Sequence, residues 1–167
     1  MVENITNNIG RMDGYSIPVS VFADHVDGQF EQGASASEKR GIAVTVPVWH
    51  EEKCIMCNKC SYVCPHACIR PYALTDEEVA SGPDNLRAVE MKGKGKGEYK
   101  YTLAVSPLDC MACTLCARAC STGALTMTDA ASQLEEQKVF DYCVAKITGK
   151  PDLQSVNVRG SQFMMPY

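Results

Sequence analysis

The sequence predicts an α+β fold built from two similar halves, and three observations lead to it. A run of four cysteines occurs twice, and each cysteine of the second copy lies 56 positions after its counterpart. A short segment with strand character precedes each copy, and another follows it. Two further segments carry the start and stop signals of short helices. We therefore expect a pseudo-two-fold repeat, with halves at 43–72 and 99–128 and an insertion at 73–98.

Both cysteine runs have the spacing C-x2-C-x2-C-x3-C. The first run is Cys54, Cys57, Cys60 and Cys64, and the second is Cys110, Cys113, Cys116 and Cys120. This spacing, with proline after the last cysteine, is a known bacterial signature of iron–sulfur proteins. One short loop can reach three corners of a [4Fe–4S] cube, so the fourth ligand must come from elsewhere. Two [4Fe–4S] clusters are therefore the expected cofactors.

In two-cluster ferredoxins, the last cysteine of each run ligates the other cluster. The predicted ligands of cluster 1 are Cys54, Cys57, Cys60 and Cys120. The predicted ligands of cluster 2 are Cys110, Cys113, Cys116 and Cys64. A structural zinc module is an alternative, although zinc prefers two separated ligand pairs around one ion. Disulfides would suit a secreted chain, but the N-terminal residues lack the pattern of a secretion signal.

Composition narrows the class of protein further. A length of 167 residues suits one domain with arms, and ten cysteines in a chain of cytoplasmic type indicate metal rather than disulfides. The net charge of −4 argues against nucleic-acid binding through a basic surface. No apolar stretch approaches the roughly 18 residues of a membrane helix. We expect a cytoplasmic protein with no nucleic-acid or membrane partner.

The chain is expected to have three parts. Residues 1–40 show no sustained periodicity and are interpreted as an extended arm, with one weak strand signal over 16–22. Residues 41–130 form the two-cluster domain. Residues 131–167 are expected to form a C-terminal helix followed by a tail without a pattern.

Within the first half and the insertion, the predicted elements follow in order. A β-branched strand over 43–48 leads into the first cysteine run, and a second strand over 67–72 follows it. A capping box at Thr75–Glu78 starts a short helix that ends before Gly82. The basic, glycine-rich stretch Lys92–Gly97 is expected to be a solvated loop, and docking of an acidic electron carrier there is the alternative.

The second half adds a strand and a helix. Apolar and polar residues alternate over Tyr99–Val105, which predicts a half-buried strand. A second capping box is expected at Ser132–Glu135, followed by a helix with Phe140, Val144 and Ile147 on one face.

Several further side chains are assigned to the interior. The apolar sleeve that excludes water from the clusters is expected to be Ile55, Val63, Ile69, Met111, Leu115 and Leu125. Trp49 is expected in the core, and Cys68 and Cys143 are expected to be structural thiols. Cys68 has Ala124 as its counterpart in the repeat, and Pro65 has Ser121.

Longer stretches of the chain resemble one family. They are Ile17–Ser20, Glu38–Ala43, Val46–Trp49, Cys54–Pro71, Ser106–Cys110, Leu134–Gln137 and Ser161–Phe163. They are similar to the ferredoxin-like domain of pyruvate:ferredoxin (flavodoxin) oxidoreductase, across nearly the whole chain. Two positions depart from the family pattern: Ser121 replaces the usual proline, and Cys68 stands where alanine is common. Neither removes a cluster ligand.

The resemblance implies a bacterial-type two-[4Fe–4S] ferredoxin-like fold and an electron-transfer module. In that family, a thiamine-diphosphate enzyme, usually a homodimer, converts pyruvate and coenzyme A to acetyl-CoA and CO2. Thiamine diphosphate, magnesium and a third cluster belong to the remainder of the enzyme, and ferredoxin or flavodoxin accepts the electrons. This chain carries no thiamine-binding pattern, so it is not expected to catalyse decarboxylation by itself. The alternative function is a free-standing ferredoxin-type electron carrier.

Overall fold

The computed structural model describes residues 2–92 and 98–153, and these combine helices and strands as predicted. The helices are α1 (Val2–Gly10), α2 (Lys59–Tyr62), α3 (Asp76–Ala80), α4 (Leu115–Ala119) and α5 (Glu136–Lys146). The strands are β1 (Thr45–Trp49), β2 (Ile69–Leu74), β3 (Val89–Glu90), β4 (Lys100–Val105) and β5 (Leu125–Asp129). The predicted basic loop, apart from Lys92, and the predicted tail beyond Leu153 lie outside the described residues.

The chain divides into two compact units, Met1–Gly41 and Ile42–Tyr167. The first unit contains α1 and three short 3-10 helices, at Gly14–Ser16, Val19–His25 and Ala34–Ser37. The strand expected over 16–22 is therefore wrong, because Pro18 caps a 3-10 helix there. A helix is also present in this region, where α1 carries the buried side chain of Ile5. The three-part division of the chain stays a prediction.

The second unit contains two small antiparallel sheets. In one sheet β1 pairs with β5, which places Trp49 opposite Leu125. In the other sheet β4 lies between β2 and β3, and Ile69 of β2 stands opposite Val105. Both sheets contribute to one continuous hydrophobic core, which also contains buried cysteines of both runs. The strands that flank the two runs are thereby held around a shared interior.

Strand β4 is more deeply buried than its sequence pattern predicts. Its residues 101–105 are all buried, so the prediction of a half-buried strand is wrong. One face of the strand joins the main core through Tyr101 and Leu103. The other face is covered by α5, against which Ala104 packs, and the Thr102 hydroxyl donates to the backbone oxygen of Arg87 at 2.7 Å. The small or satisfied side chains on that second face allow the helix to approach the strand.

The two predicted capping boxes have different outcomes. The first is confirmed: the Glu78 backbone N–H donates to the Thr75 hydroxyl oxygen, and the Thr75 N–H donates to the Glu78 carboxylate. The second is wrong, because residues 130–133 form a 3-10 helix in which the Ser132 hydroxyl donates to the backbone oxygen of Asp129. Helix α5 then begins at Glu136 with no side-chain cap.

Helix α5 buries a different stripe from the one predicted. Its buried apolar residues are Val139, Phe140 and Cys143. Val144 is 49% exposed, and Ile147 follows the helix in extended conformation. Phe140 is therefore the one member of the predicted face that α5 buries. The burial of Cys143 agrees with the structural role expected for it.

Candidate metal centre

The two cysteine loops have the same unusual backbone conformation. Positive φ angles occur at Met56 and Asn58 in the first loop, and at Ala112 and Thr114 in the second. These residues correspond at the same 56-residue offset as the cysteines. Residues other than glycine adopt this left-handed conformation at an energetic cost, and such strain concentrates at functional sites. Each loop therefore contains two left-handed residues before the short helix α2 or α4 begins.

Each loop also folds its backbone around its first cysteine. The Met56 N–H donates to Cys54 Sγ at 3.4 Å, and the Ala112 N–H donates to Cys110 Sγ at the same distance. A backbone N–H so placed stabilises a thiolate, because the donor favours the charged form of the sulfur. The loops are thus shaped to hold anionic sulfur ligands.

The first cavity, as we name it, lies beside the loop of the first run and encloses about 360 Å³, part of it open to solvent. Its four cysteines are Cys54, Cys57, Cys60 and Cys120. Three come from the first run, and the fourth comes from the end of the second. The remaining wall includes Trp49, Tyr101, Leu103 and Leu125. The four cysteines of this cavity are the side chains assigned to cluster 1.

The second cavity encloses about 330 Å³, and part of this volume is also open to solvent. Its cysteines are Cys64, Cys68, Cys110, Cys113 and Cys116. Four of them are the side chains assigned to cluster 2, and Cys68 is a fifth thiol. Pro47, Ile69 and Met127 supply apolar wall.

The donor chemistry of both cavities fits a [4Fe–4S] cluster. Iron–sulfur clusters are held by cysteine thiolates, one for each iron of the cube, and four are available in each cavity. A single zinc ion would need its ligands to converge on one point, about 2.3 Å from each sulfur. Within the described ranges, no three histidine, cysteine, aspartate or glutamate side chains converge in that way.

Burial sets the protonation of two of the candidate ligands. It raises the pKa of Cys60 to about 12 and that of Cys116 to about 11, with the neighbouring cysteines adding to the effect. At neutral pH both side chains are neutral thiols before they bind metal. Their protons must be released when the cluster binds, so cluster assembly is coupled to proton release.

Cys68 is buried, as predicted, and it contacts a candidate ligand directly. Its Sγ lies 3.3 Å from Cys64 Sγ. Hydrogen bonding to Cys68 lowers the pKa values of Cys64 and Cys110, whereas the pKa of Cys68 itself is raised by the same contacts and by burial. Among Cys64, Cys68 and Cys110, Cys68 is therefore the neutral thiol that donates a hydrogen bond.

The corresponding sulfur in the first cavity is Cys120, and the counterpart of Cys68 there is Ala124, which carries no thiol. The Ala124 N–H donates to Cys120 Sγ at 3.2 Å, and the Thr122 hydroxyl lies 3.6 Å from it. Burial alone would raise the pKa of Cys120, but these hydrogen bonds outweigh it and the pKa is lowered. Backbone N–H groups thus serve both sulfurs, and Cys64 has the Cys68 thiol in addition.

The predicted apolar sleeve is only partly present. Ile69 and Leu125 are buried, but the other four members are exposed: Ile55 by 55%, Met111 by 46%, Leu115 by 43% and Val63 by 37%. These four lie in the cysteine loops and in the short helical turns that follow them, where one face meets solvent. Ile55 nevertheless lines the first cavity and Met111 the second, so the sleeve prediction is wrong only for Val63 and Leu115, which line neither cavity.

Wall residues that the sequence reasoning missed come mainly from β4. Tyr101 and Leu103 line the first cavity, and the Tyr101 hydroxyl donates to Asn58 Oδ1 at 3.0 Å. Asn58 is itself buried and occupies one of the left-handed positions of the loop. The alternation in β4 indicated that these side chains share a face, but not that the face borders a cysteine loop. Trp49 is 1% exposed, as expected of a core residue, and it also lines this cavity.

Among the described residues, no helix has both the length and the apolar character needed to cross a membrane.

Comparison with known proteins places the chain among iron–sulfur proteins. A family model described as a 4Fe-4S dicluster domain matches residues 53–124, and a second, described as a domain of unknown function and named EKR, matches residues 1–43. The first match spans both cysteine runs. The expectation of a domain that holds [4Fe–4S] clusters is thereby confirmed.

Curated relatives match almost the whole chain. It is 41% identical over 99% of its length to a pyruvate-flavodoxin oxidoreductase of Enterobacter agglomerans, and 37% identical over 99% to a pyruvate:ferredoxin oxidoreductase of Moorella thermoacetica. It is also 36% identical over 99% to a pyruvate dehydrogenase [NADP(+)] of Cryptosporidium parvum. The chain spans 14% of the first two relatives and 8% of the third, so it corresponds to one module of multidomain proteins. The chain belongs to the pyruvate:ferredoxin (flavodoxin) oxidoreductase family, in which it corresponds to the ferredoxin-like domain with two [4Fe–4S] clusters.

Proposed function

We propose that this chain carries electrons through two [4Fe–4S] clusters as a module of a thiamine-dependent 2-oxoacid oxidoreductase. One observation carries the proposal: each of two cavities is lined by three cysteines of one run and by the last cysteine of the other. Such clusters supply one-electron redox chemistry when bound. The surrounding residues hold the ligands and limit the access of water.

The crossed ligand assignment is part of this proposal. Cys54, Cys57, Cys60 and Cys120 would hold cluster 1, and Cys64, Cys110, Cys113 and Cys116 would hold cluster 2. The matching left-handed residues of the two loops support a pseudo-two-fold repeat in which each half lends one thiolate to the other. The shared core contains Cys54 as well as Cys110, which supports a short path between the two sites.

The remaining roles belong to the larger protein of which this module would be a part. We propose that it oxidises pyruvate, the substrate in the names of the relatives, and that it uses coenzyme A and forms acetyl-CoA and CO2. Thiamine diphosphate, magnesium and a third cluster would lie in its other domains. Ferredoxin or flavodoxin would accept the electrons, and the parent would be a cytoplasmic homodimer. The N-terminal unit and the segment after residue 130 would contact those other domains.

The cofactor proposal is tested by anaerobic reconstitution of the chain with iron and sulfide. About eight irons and about eight acid-labile sulfides per chain are expected, from four of each in every cube. The reduced protein should give two magnetically interacting [4Fe–4S] signals by electron paramagnetic resonance (EPR). Zinc without acid-labile sulfide, in protein purified anaerobically from its native source, would contradict the proposal.

The assignment to a larger enzyme has a separate test. We expect the gene to continue into a thiamine-binding region, and the purified product to reduce a flavodoxin when given both pyruvate and coenzyme A. A product without that region, which exchanges electrons with several enzymes, would instead be the free-standing carrier.

A further inference from the structure

The strongest unexplained feature of the described residues is the indole nitrogen of Trp49. Nε1 is fully buried, and no acceptor for its hydrogen lies within hydrogen-bond distance in the described part of the chain. A buried donor without a partner is costly, and native proteins rarely leave one. Such a donor in a folded protein indicates an acceptor that is not a protein atom.

The surroundings of Trp49 hold its ring in one position. The Tyr101 ring packs against it edge to face, with ring centroids 5.8 Å apart. The Arg87 guanidinium lies over it, 5.9 Å from the centroid, and also donates to the backbone oxygen of Trp49 at 2.6 Å. The ring is packed on several sides, so a rotation that brings Nε1 to water would disrupt the core.

The space that the ring borders is the first cavity. Trp49 lines it together with the four cysteines assigned to cluster 1. A cluster with its thiolates presents several sulfur acceptors and a net negative charge, which makes it a strong partner for an N–H donor. We infer that the Trp49 indole N–H donates a hydrogen bond to a sulfur of cluster 1. The inference rests on the proposed function, because it requires a cluster in this cavity.

The repeat supplies no second indole at the position equivalent to Trp49. At the 56-residue offset, Trp49 corresponds to Val105, whose side chain carries no hydrogen-bonding group. The donor therefore acts on one cluster and not on the other. A hydrogen bond to cluster sulfur stabilises the reduced state, which has one more negative charge, so it raises the reduction potential. Trp49 is thus a positioning and tuning residue for cluster 1.

The test uses the fact that the chain contains a single tryptophan. Growth of a tryptophan auxotroph on β-(3-benzothienyl)alanine replaces the indole N–H by sulfur and leaves the shape of the ring nearly unchanged. The potentials of both clusters are then measured by redox titration followed by EPR. The signal of cluster 1 is identified as the one lost in Cys60→Ala and kept in Cys116→Ala. Trp49→Phe serves as a second, genetically encoded variant.

We expect the potential of cluster 1 to fall while that of cluster 2 stays constant. A tenfold change in the reduction equilibrium corresponds to about 59 mV for a one-electron couple. In D2O, electron–nuclear double resonance of the reduced protein should show deuterons coupled to cluster 1 from the backbone donors to Cys54 and Cys120 and from the Trp49 indole, and the analogue should remove the indole coupling alone. Cys143→Ala, which removes a buried thiol of α5 that packs with Ala104 in a hydrophobic cluster separate from the main core, is the control and should change neither readout.

The outcomes separate this inference from the proposed function. If the unmodified chain holds about eight irons but the analogue removes none of its deuteron couplings, the two-cluster function stands and the inference is overturned. Unchanged potentials in the analogue, or equal shifts of both clusters, would overturn it as well. If Trp49→Phe loses iron, the isosteric analogue and the deuteron signal still decide. A chain that binds no clusters would remove the proposed function itself.

Discussion

The two cysteine cavities are alike in their ligands and different in what surrounds them. Each is lined by four candidate ligands with the same spacing, on loops with the same left-handed residues. The other side chains that line the two cavities differ. The first cavity has Trp49 in its wall where the repeat places Val105, and the second has Cys68 where the repeat places Ala124. The difference lies in the side chains that donate hydrogen bonds to sulfur.

This contrast separates the residues that would hold a cluster from the residues that would adjust its reduction potential. The repeated cysteines and loop conformations would determine that a four-iron cube can be held. Hydrogen bonds to sulfur and burial are the means by which a protein adjusts the potential of a cluster that it already holds. Two sites built from one motif can thereby hold electrons at different potentials, which would give electron flow a direction.

The largest predicted effect comes from the removal of one ligand in each cavity. Cys60→Ala and Cys116→Ala should each lower the iron content from about eight to about four per chain, because each removes one corner of one cube. Iron analysis and EPR of the reduced proteins measure this. The two variants should keep different signals. If both variants lost the same signal, the two cavities would not be separate sites.

The crossed ligation makes the next prediction. Cys120→Ala should lose the same EPR signal as Cys60→Ala, although Cys120 belongs to the second run, because both side chains line the first cavity. Cys64→Ala should match Cys116→Ala in the same way. Loss of the Cys116-type signal in Cys120→Ala would mean that each run fills its own fourth corner.

Much of this arrangement could be predicted from the cysteine spacing, because ligand geometry constrains a short loop more strongly than packing does. The same is true of the capping box at Thr75, whose two hydrogen bonds are local. The exposure of Ile55 and Met111 could not be predicted, since irregular loops have no periodicity that separates an inner from an outer face. The burial of Ala104 in β4 depends on Val139, Phe140 and Cys143 of α5, which follow more than thirty positions later. The alternation of apolar and polar residues within the strand does not predict burial by a helix so distant in the sequence.

A smaller effect is expected when the extra thiol of the second cavity is removed. Cys68→Ala should keep about eight irons, because four other cysteines line that cavity. It should lower the potential of cluster 2 alone, since Cys64 Sγ loses a donor that lies 3.3 Å away. Redox titration with EPR measures the shift, and Cys143→Ala, which removes a buried thiol on α5, is the matched control. Loss of iron in Cys68→Ala would instead make Cys68 a ligand.

The smallest predicted effect lies in the insertion between the two halves and uses the two capping boxes that the sequence suggested. Thr75→Ala removes the hydroxyl that accepts from the Glu78 N–H, which should destabilise α3 by about 1 kcal/mol. Amide hydrogen exchange of α3 should then accelerate roughly fivefold, since exchange there reports local opening. Ser132→Ala is the matched control, because its hydroxyl caps no helix N-terminus, and the amides of α5 should exchange as before. If Ser132→Ala accelerated amide exchange in α5 as much as Thr75→Ala does in α3, the effect of the Thr75 hydroxyl could not be assigned to its role as a helix cap. Neither variant should change the iron content, because Thr75 and Ser132 lie outside the walls of both cavities.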